Sequence, residues 1–454
     1  MSELEPLYTA GEMRAAEKRY PGYPATVPEL MERAGGHVAR VALELHPDAR
    51  RWTVVCGGGS NGGDGRIAAR DLERAGKEVL VVDAKAGGAE LGEPDVIVDA
   101  LFGTGFTGEP RPDAAALIER MNAAGAPLLA VDLPSGVDAS TGEVAGAVVH
   151  ADATVTFHGR KLGLVIAPGR FHAGRVRVAD IGLEQVETEA RLVRPDILGS
   201  VPRREETDNK YTSGHVLVVG GSPGLTGAPS LTAMAALRAD AGYVTLAAPE
   251  ETLPVLEQRL LEVVKRPLPD DLTELAAKAS SLAVGPGLGR SDRARMLVRR
   301  VLAEIDKPIV VDADALYELE PGDWPGPRVL TPHEGELGRL LGRSSKEIAA
   351  HRLASVREAV ERFGCVVLLK GADTLVAAPG RGLLVSSLGL PSLATAGTGD
   401  VLTGIVGAFL AKGMDPQLAA AAGAAAQQLA SVAAPQRAGL IAGDLIEALP
   451  RVLA

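Results

Sequence analysis

Short apolar runs rich in Val, Ile and Leu alternate along this chain with helical patterns of about ten residues. In the first half the pattern predicts strands over 52–56, 78–82, 96–101, 127–133 and 153–157, with helices over 66–75 and 113–124 between them. Ahead of these, 11–40 reads as helical, with L-M-E-R-A-G closing on glycines suited to a C-terminal cap. The rhythm breaks between 184 and 209, a charged stretch holding Pro195, Pro202 and R-R-E-E-T-D-N. It resumes with strands over 215–219, 243–247, 281–284, 309–312, 328–330 and 365–370. Near the end, the helix opened by A-G-T-G-D and the Ala-rich run 418–434 read as two closely packed core helices. Such alternation marks parallel sheets covered on both faces, so the predicted class is α/β: two three-layer α/β/α domains, over 1–204 and 205–454.

Length supports the division, since one hydrophobic core rarely serves 454 residues. A net charge of −11 with only 3% aromatics disfavours a nucleic-acid partner, which would require basic grooves and stacking platforms. The two cysteines, Cys56 and Cys365, fall in separate predicted domains, so no disulfide framework is implied and a reducing, cytoplasmic setting is expected. The start M-S-E-L-E-P-L-Y has no basic leader, and no apolar run is long enough to span a bilayer.

Chemistry concentrates in glycine-rich turns at predicted strand ends. After strand 52–56 come Gly57, Gly58, Gly59, Ser60, Asn61, Gly62, Gly63, Asp64 and Gly65, ahead of a helix expected from Arg66. Glycines there can expose backbone N–H groups to a phosphate, through positive φ and through the missing Cβ. Two later strand ends carry D-A-L-F-G-T-G-F-T-G-E and V-D-L-P-S-G-V-D, and in a doubly wound sheet such ends converge on one crevice. Oxygens of Asn61, Asp99 and Ser135 can there hold a hard cation.

Taken in order, L-M-E-R-A-G, N-G-G-D-G, L-F-G-T-G and V-D-L-P-S-G resemble the N-terminal epimerase domain of bifunctional NAD(P)H-hydrate repair enzymes, a Rossmann-like domain. The resemblance spans roughly 8–200. It implies that Ser60, Asn61, Gly62, Gly63 and Asp64, with Gly103, Thr104, Gly105, Phe106, Thr107, Gly108 and Glu109, bind the hydrated dinucleotide. It implies further that Asp132 contacts that ligand and that Asn61, Asp99 and Ser135 ligate potassium. Ser60 departs from the family, which commonly has asparagine there. Epimerisation at C6 moves protons, so a carboxylate beside the ring is the natural acid/base group; Asp132 is the first candidate and Asp64 the second.

In the second half, G-G-S-P-G-L-T-G-A follows strand 215–219 and V-G-P-G-L-G ends strand 281–284. A-G-T-G-D, from Ala396 to Asp400, places backbone donors at a helix start beside a carboxylate able to take a hydroxyl proton, a pairing suited to phosphoryl transfer. G-T-G-D resembles the ribokinase superfamily. With N-K-Y-T-S-G-H, A-A-L-R-A-D-A-G, D-A-D-A-L, L-T-P-H-E-G-E and L-K-G-A-D-T, the likeness narrows to the ADP-dependent NAD(P)H-hydrate dehydratase over about 205–450. It implies that Ala228, Gly289 and His333 bind the hydrate, that Lys370, Gly371, Ala372, Asp373, Thr374 and Gly399 bind the adenylate, and that Asp400 is the catalytic base. Magnesium accompanies ADP, with Glu334 and Glu336 orienting its waters. Tyr317 and Leu390 depart from the family pattern.

The resulting expectation is an isomerase and lyase that repairs hydrated NADH and NADPH: one domain interconverts the R and S hydrates, and the other dehydrates the S form while ADP becomes AMP and phosphate. Potassium, magnesium and ADP are the expected small partners, with a homo-oligomer and neither nucleic acid nor membrane. A small-molecule kinase fused to a nucleotide-binding module is the alternative, and a non-enzymatic scaffold the third reading.

Overall fold

The computed structural model describes residues 4–84, 90–436 and 438–454. The opening residues 1–3, part of the leader reading, lie outside them. Two compact units emerge, one of Pro6–Ala190 and one of Arg191–Ala454 with Leu4 and Glu5.

In the first unit six strands form one parallel sheet in the spatial order Glu78–Asp83, Arg51–Cys56, Val96–Ala100, Leu128–Val131, Ala153–Phe157, Arg175–Ala179. The order reverses between Arg51–Cys56 and its neighbour Val96–Ala100, and the crevice beyond that reversal is where ligands bind in doubly wound sheets. Buried Leu30, Ala34, Val38 and Ala42 form an i, i+4 stripe on the helix Val27–Leu45 and pack into the core beside the helix Ser60–Arg74.

Two sequence expectations are corrected here. The helix expected from Arg66 starts at Ser60, so most of the glycine-rich segment is helix rather than loop. The helix expected to close at the glycines of L-M-E-R-A-G continues to Leu45. Gly35 is a packing position: a Cβ there would lie 2.6 Å from Cβ of Ile67 and 2.7 Å from the backbone oxygen of Asp64. The close crossing of these helices needs a residue without a side chain, and that outweighs glycine's poor helix propensity.

The second unit carries parallel strands ordered Val264–Pro267, Tyr243–Ala248, His215–Val219, Ser281–Val284, Ile309–Val311, Arg328–Leu330, Val366–Leu369. Thr374–Ala377 and Leu383–Ser386 extend it antiparallel. Its order reverses between His215–Val219 and Ser281–Val284. Helices Gly227–Arg238 and Thr398–Ala411 cross tightly, a Cβ on Gly404 being only 2.2 Å from the carbonyl oxygen of Thr232. The Ala-rich helix Pro416–Ala433 is core packing, with Ala419 to Ala422 wholly buried. No described helix is long and apolar enough to cross a membrane, and Cys56 and Cys365 are both buried and free.

Candidate active sites

At the reversal point of the first sheet, three strand-end segments are stitched together. Asp99, fully buried, ends the Val96–Ala100 strand and accepts from Ser135 N at 2.8 Å, Ser135 Oγ at 2.7 Å and Leu101 N at 3.1 Å. Phe102 N donates to Ser135 Oγ at 2.8 Å, and Asn61 Nδ2 donates to the Phe102 carbonyl at 2.9 Å. Asn61, Asp99 and Ser135 are therefore one cluster. None of these partners of Asp99 is a cation, and burial lifts its pKa to about 6 against the pull of those hydrogen bonds. The buried Asp99 carboxylate is thus held by two backbone N–H groups and a hydroxyl, all neutral donors. The described residues contain no cluster of three His, Cys, Asp or Glu, so a cation here would rest on amide, hydroxyl and carbonyl oxygen as much as on carboxylate.

A second cluster lies three residues from Asn61 and from Ser135 on their segments, at Asp64 and Asp132, with Lys161 beside it. Asp132, held at φ 68°, is the carboxylate of a buried ion pair: Lys161 Nζ lies 2.6 Å from its Oδ1, and Thr156 Oγ1 donates to the same oxygen at 3.0 Å. Lys161 also donates to the Phe157 carbonyl at 2.9 Å. Asp64, buried at the helix start, has its pKa pushed up to about 8 by burial, then by the charges of Asp132 and Glu17. Gly62 and Gly63 serve packing: Cβ atoms there would strike the Gly57 carbonyl oxygen at 1.9 Å and Met31 Cε at 1.9 Å. Ser60 is exposed at the rim. In the second loop Gly103 abuts the Asn61 side chain, Phe106 stacks on Phe102 at 4.7 Å, and Thr104 is half-buried. Gly105, Thr107, Gly108 and Glu109 are exposed. Lys161 and Glu17 were missed from sequence, since a lone lysine in G-R-K-L-G-L carries no spacing signal.

The second unit gathers its residues at its own reversal point. Gly221 N and Ser222 N donate to the Gly287 carbonyl, at 2.9 and 2.7 Å, joining the two glycine-rich turns. Gly289, at φ +78°, donates its N–H to Asp314 Oδ2 at 3.0 Å, and Arg290 holds Oδ1 at 2.9 Å while lying over the Tyr317 ring. Thr232 Oγ1 bonds both the Ala228 carbonyl, at 3.1 Å, and the Asp400 carbonyl, at 3.0 Å, which brings those two backbones together.

Asp400 sits in the first turn of Thr398–Ala411, whose preceding residue Gly397 has φ +87°. Burial, then the charge of Asp312, lifts its pKa to about 7; Lys370 opposes the rise, while Asp314 and Glu336 add to it. Lys370 Nζ lies 2.8 Å from Asp312 Oδ1, and Thr403 Oγ1 donates to Asp312 Oδ2 at 2.6 Å. Burial disfavours the lysine's charge, but Asp312, Glu336 and Asp400 outweigh it and raise its pKa. A Cβ on Gly399 would come within 3.3 Å of that ammonium, so glycine leaves the space before it open. The arrangement presents an amide-bearing helix start, an ammonium and a carboxylate whose pKa is near neutrality, the elements phosphoryl transfer requires.

Around this centre the side chains divide. His333 caps the helix Glu334–Leu341, its Nδ1 accepting from Gly335 N at 3.0 Å, and more than half of its ring is exposed. Glu334 is committed to buried Arg352 at 2.5 Å, whereas Glu336 accepts from His333 N at 2.9 Å and reaches toward Lys370. Asp373 is fully buried against the same arginine, Nε to Oδ2 3.3 Å. Its side chain therefore shapes the turn, and exposed Gly371 and Ala372 form the turn's outer surface. Thr374 is buried and accepts from Gln428 Nε2. The Leu390 backbone N–H donates to Ser431 Oγ at 3.2 Å. Asp312, Asp314, Thr232 and Thr403 were not singled out from sequence.

Residues 216–451 match the family model for NAD(P)H-hydrate dehydratase, and 27–88 and 82–163 match that for the YjeF-related protein N-terminus. The bifunctional NAD(P)H-hydrate repair enzyme Nnr of Moorella thermoacetica is 39% identical, with 98% of this chain and 96% of that protein covered. The chain belongs to the bifunctional NAD(P)H-hydrate repair enzyme family. The Escherichia coli enzyme of the same description is 37% identical over 94% of this chain and 90% of its own length. Among solved structures, the ADP/ATP-dependent NAD(P)H-hydrate dehydratase of Bacillus subtilis, co-crystallised with ATP and magnesium, is 29% identical with a TM-score of 0.52, covering 56% of this chain and 94% of that one. A ribokinase-like superfamily protein of Enterococcus faecalis, 24% identical with a TM-score of 0.53, covers 60% of this chain and 97% of its own, and supports the fold alone.

Proposed function

We propose that this chain repairs hydrated nicotinamide dinucleotides in two steps, one in each unit. The first unit epimerises the R and S hydrates of NADH and NADPH; the second dehydrates the S form to NADH or NADPH while ADP becomes AMP and phosphate. The observation that carries the reading is Asp400, a carboxylate with pKa lifted to about 7 in the first turn of a helix, facing the charge field of Lys370 and Asp312.

In the second unit Asp400 takes the proton of the C6 hydroxyl as that oxygen accepts the phosphoryl group of ADP. The amides at the start of Thr398–Ala411 and the Lys370 ammonium offset the transferring charge. Phosphate then departs from C6 with loss of a proton from C5, a far better leaving group than hydroxide. The hydrate lies along Ala228, Gly289 and His333, and the adenylate along Gly371, Ala372 and Gly399. Asp373 and Thr374 support that turn from beneath, and Lys370 faces the phosphates. Magnesium, carried with the nucleotide, would meet Glu336 rather than Glu334, which Arg352 already holds.

In the first unit Ser60, Asn61, Gly62, Gly63, Asp64 and the turn from Gly103 to Glu109 surround the hydrate, with Asp132 against its ring. Asn61, Asp99 and Ser135 would hold potassium, whose charge would offset the buried Asp99 carboxylate and tie the loops together. The protein works in the cytoplasm as a homo-oligomer.

The test is a mixture of R and S hydrates given ADP and magnesium, with the restored dihydronicotinamide followed by absorbance. Full recovery is expected, whereas a plateau at the starting S fraction would leave the first unit without its function. Asp400→Ala should abolish recovery, and Asp132→Ala should slow only the R fraction; equal losses of both fractions in Asp132→Ala would overturn the division of labour.

A further inference from the structure

Asp64 is an expensive residue with no structural return. It is 7% exposed, and its Oδ1 has no hydrogen-bond partner. Other buried carboxylates are bonded: Asp99 by Ser135, Asp132 by Lys161, Asp312 by Lys370 and Asp373 by Arg352. Nor does Asp64 cap its helix, because the capping position is Gly59 and Asp64 lies inside the helix, where aspartate has poor propensity. Burying a carboxyl oxygen without a hydrogen-bond partner is destabilising, because its hydration is lost with nothing in exchange. A residue kept at such a cost in a crevice is a functional candidate.

Its surroundings say which function. Glu17 from helix Ala10–Arg19, Asp132 from the loop after Leu128–Val131, and Lys161 are the charged groups that act on it. The packed helix Val27–Leu45 presents Met31 and Gly35 to the Gly63–Asp64 backbone, and neither is charged. Burial and two negative neighbours hold Asp64 as the neutral acid at pH 7, with its pKa at about 8. Asp132, by contrast, is ion-paired. Thr156 Oγ1 and Lys161 Nζ both bond its Oδ1, which leaves Oδ2 for a proton. A buried carboxyl without a cationic partner beside one that is paired with a lysine is suited to serve as acid and base.

We propose that Asp64 is the proton donor of the epimerisation and Asp132 its acceptor. This rests on reading the first unit as an NAD(P)H-hydrate epimerase. The Asp64 carboxyl gives its proton to the C6 hydroxyl; the C6–O bond breaks, its electron pair leaving with water, while the N1 lone pair forms a C6=N1 bond. Water then adds to C6 from the other face and the π pair returns to N1. The surplus proton passes to Asp132. Asp64 has lost one proton and Asp132 has gained one, so exchange with solvent resets the pair.

The experiment follows conversion of purified R hydrate to S in the full chain without ADP, by chromatographic separation of the two forms across neutral and alkaline pH. The expected turnover is constant near neutrality and falls as pH rises through about 8, where Asp64 loses its proton. Asp64→Asn should lower kcat by roughly 100-fold or more with KM little changed, and should erase the alkaline fall. Asp64→Glu, which keeps an acid there, should restore part of kcat and retain an alkaline fall. A flat profile in the unaltered chain, near-normal kcat in Asp64→Asn, or a loss confined to KM would each overturn the assignment. Absence of any R-to-S conversion in the unaltered chain would overturn the epimerase reading and the assignment with it.

Discussion

Both units place glycine-rich segments where their strand order reverses, but the glycines meet different local demands. In the first unit Gly62, Gly63 and Gly65 lie in a helix, and a Cβ on any of them would collide with a neighbour: the Gly57 backbone, Met31 or Ala100. In the second, Gly289 and Gly397 stand at positive φ. The helical segment of the first cradle depends on close packing, whereas the turns of the second combine close packing with positive φ, a Cβ on Gly285 (φ +121°) lying 1.9 Å from the Asp312 carbonyl oxygen. The carboxylates differ in parallel. Asp64 is buried with an unbonded oxygen beside an Asp132–Lys161 pair, whereas Asp400 is only partly buried, in the field of the Lys370–Asp312 pair. A desolvated carboxyl suits proton transfer, and a partly exposed carboxylate at a helix start suits a phosphoryl group in transit.

The comparison is sharpest at the buried ion pair of the first unit. Lys161→Met removes the partner of a buried carboxylate and should destabilise that unit by about 3–5 kcal/mol. Denaturant melts should then show an early transition, and recovery of the R hydrate should be lost while the S hydrate is still dehydrated.

Next in size is the contrast between two glycines. Gly62→Ala would set a methyl 1.9 Å from a backbone oxygen and should cost about 3 kcal/mol or more. Gly397→Ala pays for a left-handed backbone, about 1–2 kcal/mol. It also brings the methyl 2.7 Å from the end of the Leu231 side chain, which can shift. If thermal melts rank the two the other way, the distinction between packing and conformation fails.

A smaller effect links stability to pH. The folded pKa of Asp400, about 7, lies above its ordinary value of 3.8, so the folded state holds the proton more tightly than the unfolded one. Its contribution is complete below about pH 4 and is lost as pH rises through about 7. Asp400→Asn should therefore be more stable than the unaltered chain above neutrality, by on the order of 1–2 kcal/mol after allowance for partial exposure, with the gap closing in acid. Urea midpoints across pH measure this. Smallest is Tyr317→Leu, which removes the ring under Arg290 and should raise KM for the hydrate a few-fold with kcat unchanged, for a lost contact of about 0.5–1 kcal/mol.

Much of the architecture was legible in the order of residues. Buried parallel strands are continuous apolar runs, so Ala153–Phe157, His215–Val219 and Ser281–Val284 could be read to the residue. Helix starts were less legible: six glycines in nine residues look like a loop, and only the packing of Val27–Leu45 on Ser60–Arg74 makes that segment helical. The edge strand Arg175–Ala179, largely exposed, has only the short alternation R-V-R-V-A in place of a continuous apolar run, and it was not read as a strand.

What the sequence by itself determined was the pair of α/β units, the strand ends where chemistry gathers and the family resemblance carried by the motifs there, because these depend on local patterns and short spacings. Tertiary structure alone decided which side chains are functional neighbours. Lys161 reaches Asp132 across 29 residues, Lys370 reaches Asp312 across 58, and Thr403 reaches Asp312 across 91. It also decided the protonation states of Asp64 and Asp400, since desolvation is set by the atoms that surround a carboxyl in space and not by its neighbours along the chain.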